Sequence, residues 1–127
     1  MSCRFSFIMG VEVFLCMKYP KFLNEKYNTI GVCAMSSGVG HKLDSFDESM
    51  DYIQSFGFHI VESSSVRNDS EPSCSALKRV SELNALVNDS KIGAVWLAAG
   101  GDFQFETLPY IDFDWIEKNP KWYLGAS

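Results

Sequence analysis

Four short apolar runs separated by stretches with helical spacing constrain this chain more than any other feature. The runs are residues 28–35 (NTIGVCAM), 58–61, 92–99 and 122–126. Each has the length and apolar continuity of a strand buried on both faces. Between the first two, Leu43, Phe46, Met50, Ile53 and Phe56 recur at three- and four-residue steps. Between the second and third, Ala76, Leu77, Val80, Leu83 and Val87 do the same. Residues 103–110 and 113–118 read as two further short helices. Strand, helix, strand repeated in this way predicts βαβ units: a mainly parallel sheet with helices on both faces. Right-handed crossovers then bring every strand's C-terminal end to one edge of the sheet. Ligands of such folds bind outside that edge.

Local signals refine the boundaries. Ser45 followed by Glu48 reads as a capping box for the first helix, and Gly57 as its stop. Residues 62–75 are polar, contain Pro72 and read as a loop. Residues 1–16 fit none of these units. They are apolar with Arg4 near the start, which mimics a weak signal peptide, but Glu12 interrupts the run and no small-residue cleavage site follows. The expectation is that 1–16 is a non-native or disordered extension, that Met17 is the natural start, and that 17–127 is one domain.

Composition excludes several classes. The net charge is −5 and no basic cluster is present, so nucleic acid is not an expected partner. Cys3, Cys16, Cys33 and Cys74 are widely spaced, unlike zinc ligands, and read as reduced thiols of a cytoplasmic protein. No run is long enough to span a membrane. No metal or cofactor is expected.

Three segments meet at the predicted C-terminal edge: Ser36-Ser37-Gly38, Gly100-Gly101-Asp102 and Ser127. Gly125-Ala126-Ser127 after an apolar run is the first half of the turn that lifts a serine Oγ out of a parallel sheet in many hydrolases. Gly100-Gly101 can be a turn or a backbone that approaches a substrate oxygen closely. The 36–40 loop (SSGVG) follows a strand and precedes a helix, as a phosphate cradle would, but lacks the third glycine of a dinucleotide fingerprint and any Gly-Lys-Ser/Thr. His41 and His59 read as structural. Asp102, Glu106, Asp112 and Asp114 read as solvated loop or capping residues.

Taken in order, these pieces resemble the LD-carboxypeptidase family of serine peptidases, which also contains the microcin C immunity proteins. Thr29-Ile30-Gly31-Val32-Cys33-Ala34-Met35-Ser36-Ser37-Gly38 resembles its opening strand and loop. Arg79 with Leu83-Asn84 and Asp89 resembles its arginine-bearing helix. Ala98-Ala99-Gly100-Gly101-Asp102-Phe103 with Leu108-Pro109-Tyr110-Ile111-Asp112 resembles its Gly-Gly loop, and Asn119-Pro120-Lys121 through Ser127 its strand into Gly-x-Ser. The resemblance implies a flavodoxin-like three-layer sandwich. It implies Ser127 as nucleophile and the Gly101 backbone N–H as an oxyanion donor, with Ser36, Ser37, Gly100 and Asp102 in contact with substrate. A C-terminal domain would supply a glutamate and a histidine. The implied partners are a small peptide or peptidyl-nucleotide substrate, that missing domain, and a second copy in a homodimer. The sequence departs from the family pattern at Ala99, Asp102 and Ala126, where many members carry arginine, tyrosine and tyrosine. Two other readings compete: a flavodoxin-like module holding a phosphorylated ligand at residues 36–40, and a truncated non-catalytic remnant.

Overall fold

The computed structural model describes the backbone of residues 3–8 and 11–16 and the whole of residues 18–125. Strands β1 (Cys3–Ile8) and β2 (Val11–Cys16) pair antiparallel, Cys3 opposite Cys16 and Ile8 opposite Val11. They form a sheet of their own and do not join the larger one. The sequence reading anticipated no regular structure here. Only two residues, Met9-Gly10, separate the strands in sequence.

The larger sheet contains β3 (Thr29–Cys33), β4 (His59–Glu62), β5 (Ile92–Leu97) and β6 (Trp122–Leu124). Its order is β4-β3-β5-β6 and every pairing is parallel. Three crossovers connect it: helix α1 (Leu43–Gln54), helix α2 (Ala76–Asn88), and a 3-10 helix (Asp102–Tyr110) continued by α3 (Phe113–Lys118). The four expected strands and the intervening helices are therefore present, within a residue or two of the boundaries read from the sequence.

Alternation along the strands sends side chains to two cores. Cys33 and Val95 face α2, where Met35, Leu83, Leu86, Val87 and Ile92 are buried with them and Ile111 and Ile116 close the edge. Val32 and Ala34 face α1, among Val39, Phe46, Met50 and Val66. Helices thus cover both faces of the centre of the sheet, as a parallel sheet requires. Among the described residues no helix is long and apolar enough to cross a membrane.

Several local expectations change. Helix α1 starts at Leu43, with Lys42 at the cap position and no side-chain cap, so Ser45 and Glu48 lie inside it rather than forming a capping box. A 3-10 turn over Gly40–Lys42 leads directly into the helix, and Lys42 N–H donates to the Val39 carbonyl instead. Phe56 lies beyond the helix, exposed, edge-on to Tyr52. Leu77 is exposed too, because the buried stripe of α2 runs through Arg79, Val80, Leu83, Leu86 and Val87. Ser75 caps α2, accepting from the Lys78 N–H.

The 63–75 loop is held by Glu82 of α2. Its carboxylate accepts from Ser64 Oγ at 2.6 Å and from the Ser65 N–H and hydroxyl. Partial burial alone would raise the Glu82 pKa, but these hydrogen bonds outweigh it and hold the carboxyl below its ordinary 4.5. A depressed carboxyl adds stability above its unfolded pKa and loses it as pH falls through the folded one. Glu82→Gln should therefore lower the melting temperature at pH 7. The gap to the parent chain should close in acid, below the ordinary carboxylate range. A gap independent of pH would assign Glu82 a packing role only. Because β1 and β2 pair only with each other among the described residues, removal of residues 1–16 should leave thermal melting of the parallel sheet unchanged.

Candidate active site

The chain leaves β3 toward β4 on one side and leaves β5 toward β6 on the other. Strand order therefore reverses between β3 and β5, and their C-terminal ends open a crevice at the point where ligands of such sheets bind. Two loops meet there. Residues 34–40 follow β3, and residues 98–103 follow β5. The Ala98 N–H still donates to the Cys33 carbonyl at 2.9 Å, so the two loops separate only after that residue.

Gly101 is the conformational centre of the second loop. Its φ is 139° and its ψ 171°, a region reached almost only by glycine. A Cβ at this position would stand 2.6 Å from Ser36 Oγ and 3.2 Å from Ser37 Oγ. Gly101 and Asp102 are exposed, and Gly100 is half-buried. Two residues on, the Phe103 N–H donates to Ser36 Oγ at 3.1 Å. Ser36, Ser37 and Gly101 thus lie together, and Phe103, which the sequence did not point to as a site residue, joins them. One expected role changes. Ser36 was expected to touch substrate, yet it has no exposed surface and its hydroxyl holds the Gly-Gly loop. Ser37 is 6 % exposed.

The phosphate-cradle reading of residues 36–40 meets a geometric obstacle. A cradle needs free backbone N–H groups. Here Gly38 N–H donates to Ser70 O, Val39 N–H to Val66 O and Gly40 N–H to Asn68 O. An added Cβ would lie 2.0 Å from Asn68 O at Gly38 and 2.5 Å from Asp69 N at Gly40. These glycines admit the chain's own 66–70 segment, not a ligand.

Beneath both loops lies Arg79, a residue whose role the sequence reading did not see. Its side chain has no solvent exposure. Nε donates to Cys74 O at 3.0 Å, Nη1 to Met35 O at 2.7 Å and to Phe103 O at 2.8 Å, and Nη2 reaches Glu106 Oε2 at 2.6 Å. Glu106 was read as a solvated carboxylate; it is the ion-pair partner of this buried guanidinium. The signal available in the sequence was position, since Arg79 stands four residues before Leu83, on the apolar stripe of α2. Lys121, named above only as part of the Asn-Pro-Lys resemblance, has a structural role too. It is 91 % buried, and its Nζ donates to Asp89 O and Ile92 O, which ties the entry of β6 to that of β5. Burial lowers its pKa.

The remaining candidates are dispersed. His59 is the first residue of β4, at the opposite edge of the sheet, and His41 is exposed in the 40–42 turn. Asp112 caps α3 by accepting from the Trp115 N–H, and Asp114 lies in the first turn of that helix. The buried Cys33 thiol is pushed up to about 12 by desolvation and by the Glu82 charge, so it is no nucleophile at neutral pH. Among the described residues no three His, Cys, Asp or Glu side chains converge as a metal site. Ser127 lies outside the described residues. The chain reaches Gly125 from β6, which runs parallel to β5 and ends at the same edge as the Gly101 loop.

Comparison with known proteins agrees with this fold. The family model Peptidase_S66, described as the LD-carboxypeptidase N-terminal domain, matches residues 30–127. A Vibrio cholerae protein named "Putative carboxypeptidase" is 32 % identical over 83 residues, covering 65 % of this chain and 25 % of that protein. The Escherichia coli microcin C7 self-immunity protein MccF is 31 % identical over 83 residues, covering 65 % and 24 %. Among solved structures, MccF without ligand superposes with a TM-score of 0.78 at 27 % identity, over 89 % of this chain and 33 % of that one. An MccF-like protein of Bacillus anthracis gives 0.79 at 26 % identity, over 87 % and 34 %. A muramoyltetrapeptide carboxypeptidase of Oxalobacter formigenes, at 15 % identity and a TM-score of 0.68, shares the fold. The chain spans about a quarter to a third of the length of these proteins.

The contact between Gly101 and Ser36 predicts a specific non-additivity. Gly101→Ala should cost about 1–3 kcal/mol through backbone strain, with a steric part added by the Ser36 hydroxyl. In a Ser36→Gly background the strain and the looser Ser37 contact should remain, so the second cost should be smaller. Chemical denaturation of the four proteins measures the difference. Equal costs in both backgrounds would mean that the two loops do not touch in solution.

Proposed function

Starting from the membership of this chain in the Peptidase_S66 family, we propose that it is the nucleophile-bearing N-terminal part of a serine carboxypeptidase. The observation that carries the proposal is the Gly101 loop. An exposed glycine in a conformation closed to other residues stands at the switch point of a parallel sheet, one strand away from the strand that leads to Ser127. Such a loop can offer a backbone N–H to the oxyanion that forms when a serine attacks a carbonyl.

In this reading Ser127 Oγ attacks the carbonyl of the scissile amide. A base takes the hydroxyl proton and returns it to the leaving amine. The resulting acyl-enzyme is cleared by water. The Gly101 N–H is one oxyanion donor, and the residue after Ser127 supplies the second. Gly100, Ser37 and Asp102 line the approach. The base and its orienting carboxylate come from a C-terminal domain, consistent with the chain's share of its relatives' length. The position of His59 at the start of β4 and of His41 on an exposed turn supports a base from outside this chain. One MccF structure is an active-site mutant with a serine, an asparagine and a lysine each replaced by alanine, which supports a serine-dependent reaction in that relative.

Two substrate classes fit. MccF has been solved with aspartyl sulfamoyl adenosine and with glutamyl sulfamoyl guanosine, which are acidic aminoacyl-nucleotide mimics. The second class is a murein-derived peptide cut at an L,D bond. Sequence identity of 27 % to the MccF structure, against 15 % to the muramoyltetrapeptide carboxypeptidase, favours the peptidyl-nucleotide class. The dispersed cysteines support a reducing, cytoplasmic setting.

The test uses a serine-reactive fluorophosphonate and two peptide substrates. The 127-residue chain should be neither labelled nor active, because an unassisted serine hydroxyl is a weak nucleophile. The full-length protein, in which the carboxy-terminal domain follows Ser127, should be labelled and should turn over one of the two substrate classes. Ser127→Ala should abolish both. Retained turnover in that variant would remove Ser127 from the mechanism.

A further inference from the structure

We propose that Arg79 is a positioning residue for the candidate oxyanion loop: it holds the loops after β3 and β5 in the one relative position that aims the Gly101 N–H into the crevice. The inference rests on the functional reading above for its catalytic consequence, but not for its geometry.

A buried charge is costly unless it is paired and hydrogen-bonded. Arg79 meets that condition using groups from three separate segments. Met35 belongs to the exit of β3, Cys74 to the loop before α2, and Phe103 and Glu106 to the 3-10 helix that follows Gly101. The guanidinium is planar and its donors diverge at fixed angles, so these acceptors must keep a fixed mutual geometry to be served together. Nη1 is the critical atom, because it bridges Met35 O and Phe103 O, one carbonyl from each side of the crevice.

Ser36 adds a second tie between the same loops, through its acceptance of the Phe103 N–H. Phe103 is thus gripped at its N–H by Ser36 and at its C=O by Arg79, two residues after Gly101. The first loop is anchored in turn by Ser73, whose N–H donates to Ser36 O and whose Oγ donates to Ala34 O. Gly101 has no side chain with which to set its own orientation. These neighbours set it. Lysine could keep the charge, but a single ammonium cannot serve four acceptors that lie around a planar fork.

The first measurement is amide hydrogen exchange in the 127-residue chain. Arg79→Lys should speed exchange across residues 103–106 by about tenfold or more, while the amides of Val95 and Leu97 in β5 keep the parent rate. Unchanged exchange over 103–106 would overturn the clamp, whatever the fate of the functional reading. The second measurement is the rate of acylation by fluorophosphonate in the full-length protein. A misplacement of about 1 Å in a catalytic constellation costs on the order of 100-fold, so Arg79→Lys should slow acylation by about that factor. Leu86→Ala, a core truncation in the same helix, is the control for stability. Assayed below its melting temperature, it should acylate at near the parent rate. Equal slowing in Arg79→Lys and Leu86→Ala would reduce Arg79 to a general stabiliser and overturn its positioning role. If Arg79→Lys does not fold, Glu106→Gln keeps the guanidinium and its three carbonyl bonds while weakening the hold on the 3-10 helix. It should slow acylation by about tenfold with little loss of melting temperature. No slowing there would also overturn the proposal.

Discussion

Everything in the parallel sheet depends on the burial of β3. It is paired along both edges, covered on both faces, and followed by loop residues that stay buried through Val39. A segment in that position has no access to water, so each backbone polar group must find a partner in the protein. The partners come from β4, β5 and then the 63–75 loop, which folds over the exit of β3 and receives the N–H groups of Gly38, Val39 and Gly40. The same requirement explains the glycines at 38 and 40. The covering loop approaches so closely that a Cβ at either position would collide with its backbone.

That arrangement leaves the two sides of the crevice unequally exposed. Residues 36–39 after β3 are buried, with the 66–70 segment bonded to Gly38 and Val39, while after β5 Gly101 and Asp102 are exposed and Gly100 is half-buried. The polar groups beneath are engaged within the protein: Ser36 by Phe103, and Arg79 by three carbonyls and Glu106. A site of this kind is rigid below and free above, which suits a backbone donor that must already point where charge will develop.

Membership in the Peptidase_S66 family gives the crevice a chemical context, and the extent of the match sets its scale. The chain corresponds to the part of its relatives that builds the sheet and carries the loop around Gly101. In the proposed mechanism proton transfer belongs to the remainder. Within this chain one histidine begins β4, at the far side of the sheet, and the other is exposed on a turn.

The sequence by itself determined the order of strands and helices, the parallel architecture and the edge at which the glycine loops meet. These follow from local periodicity and from the handedness of crossovers, which neighbouring residues carry. Hydrogen-bond partners distant in sequence were decided only by tertiary structure. Ser36 read as a ligand contact and proved to be a buried tie to Phe103, 67 residues away. Glu106 read as solvated and proved to be bound to Arg79, 27 residues away. The 36–40 loop reads as a candidate phosphate cradle, but the N–H groups of residues 38–40 are bonded to residues 66–70. Even the start of α1 moved, because the winding of the 40–42 turn, not a local cap, decides where that helix begins. A local pattern can say that a residue is polar and lies on a loop. Which distant group satisfies it depends on how the whole chain packs.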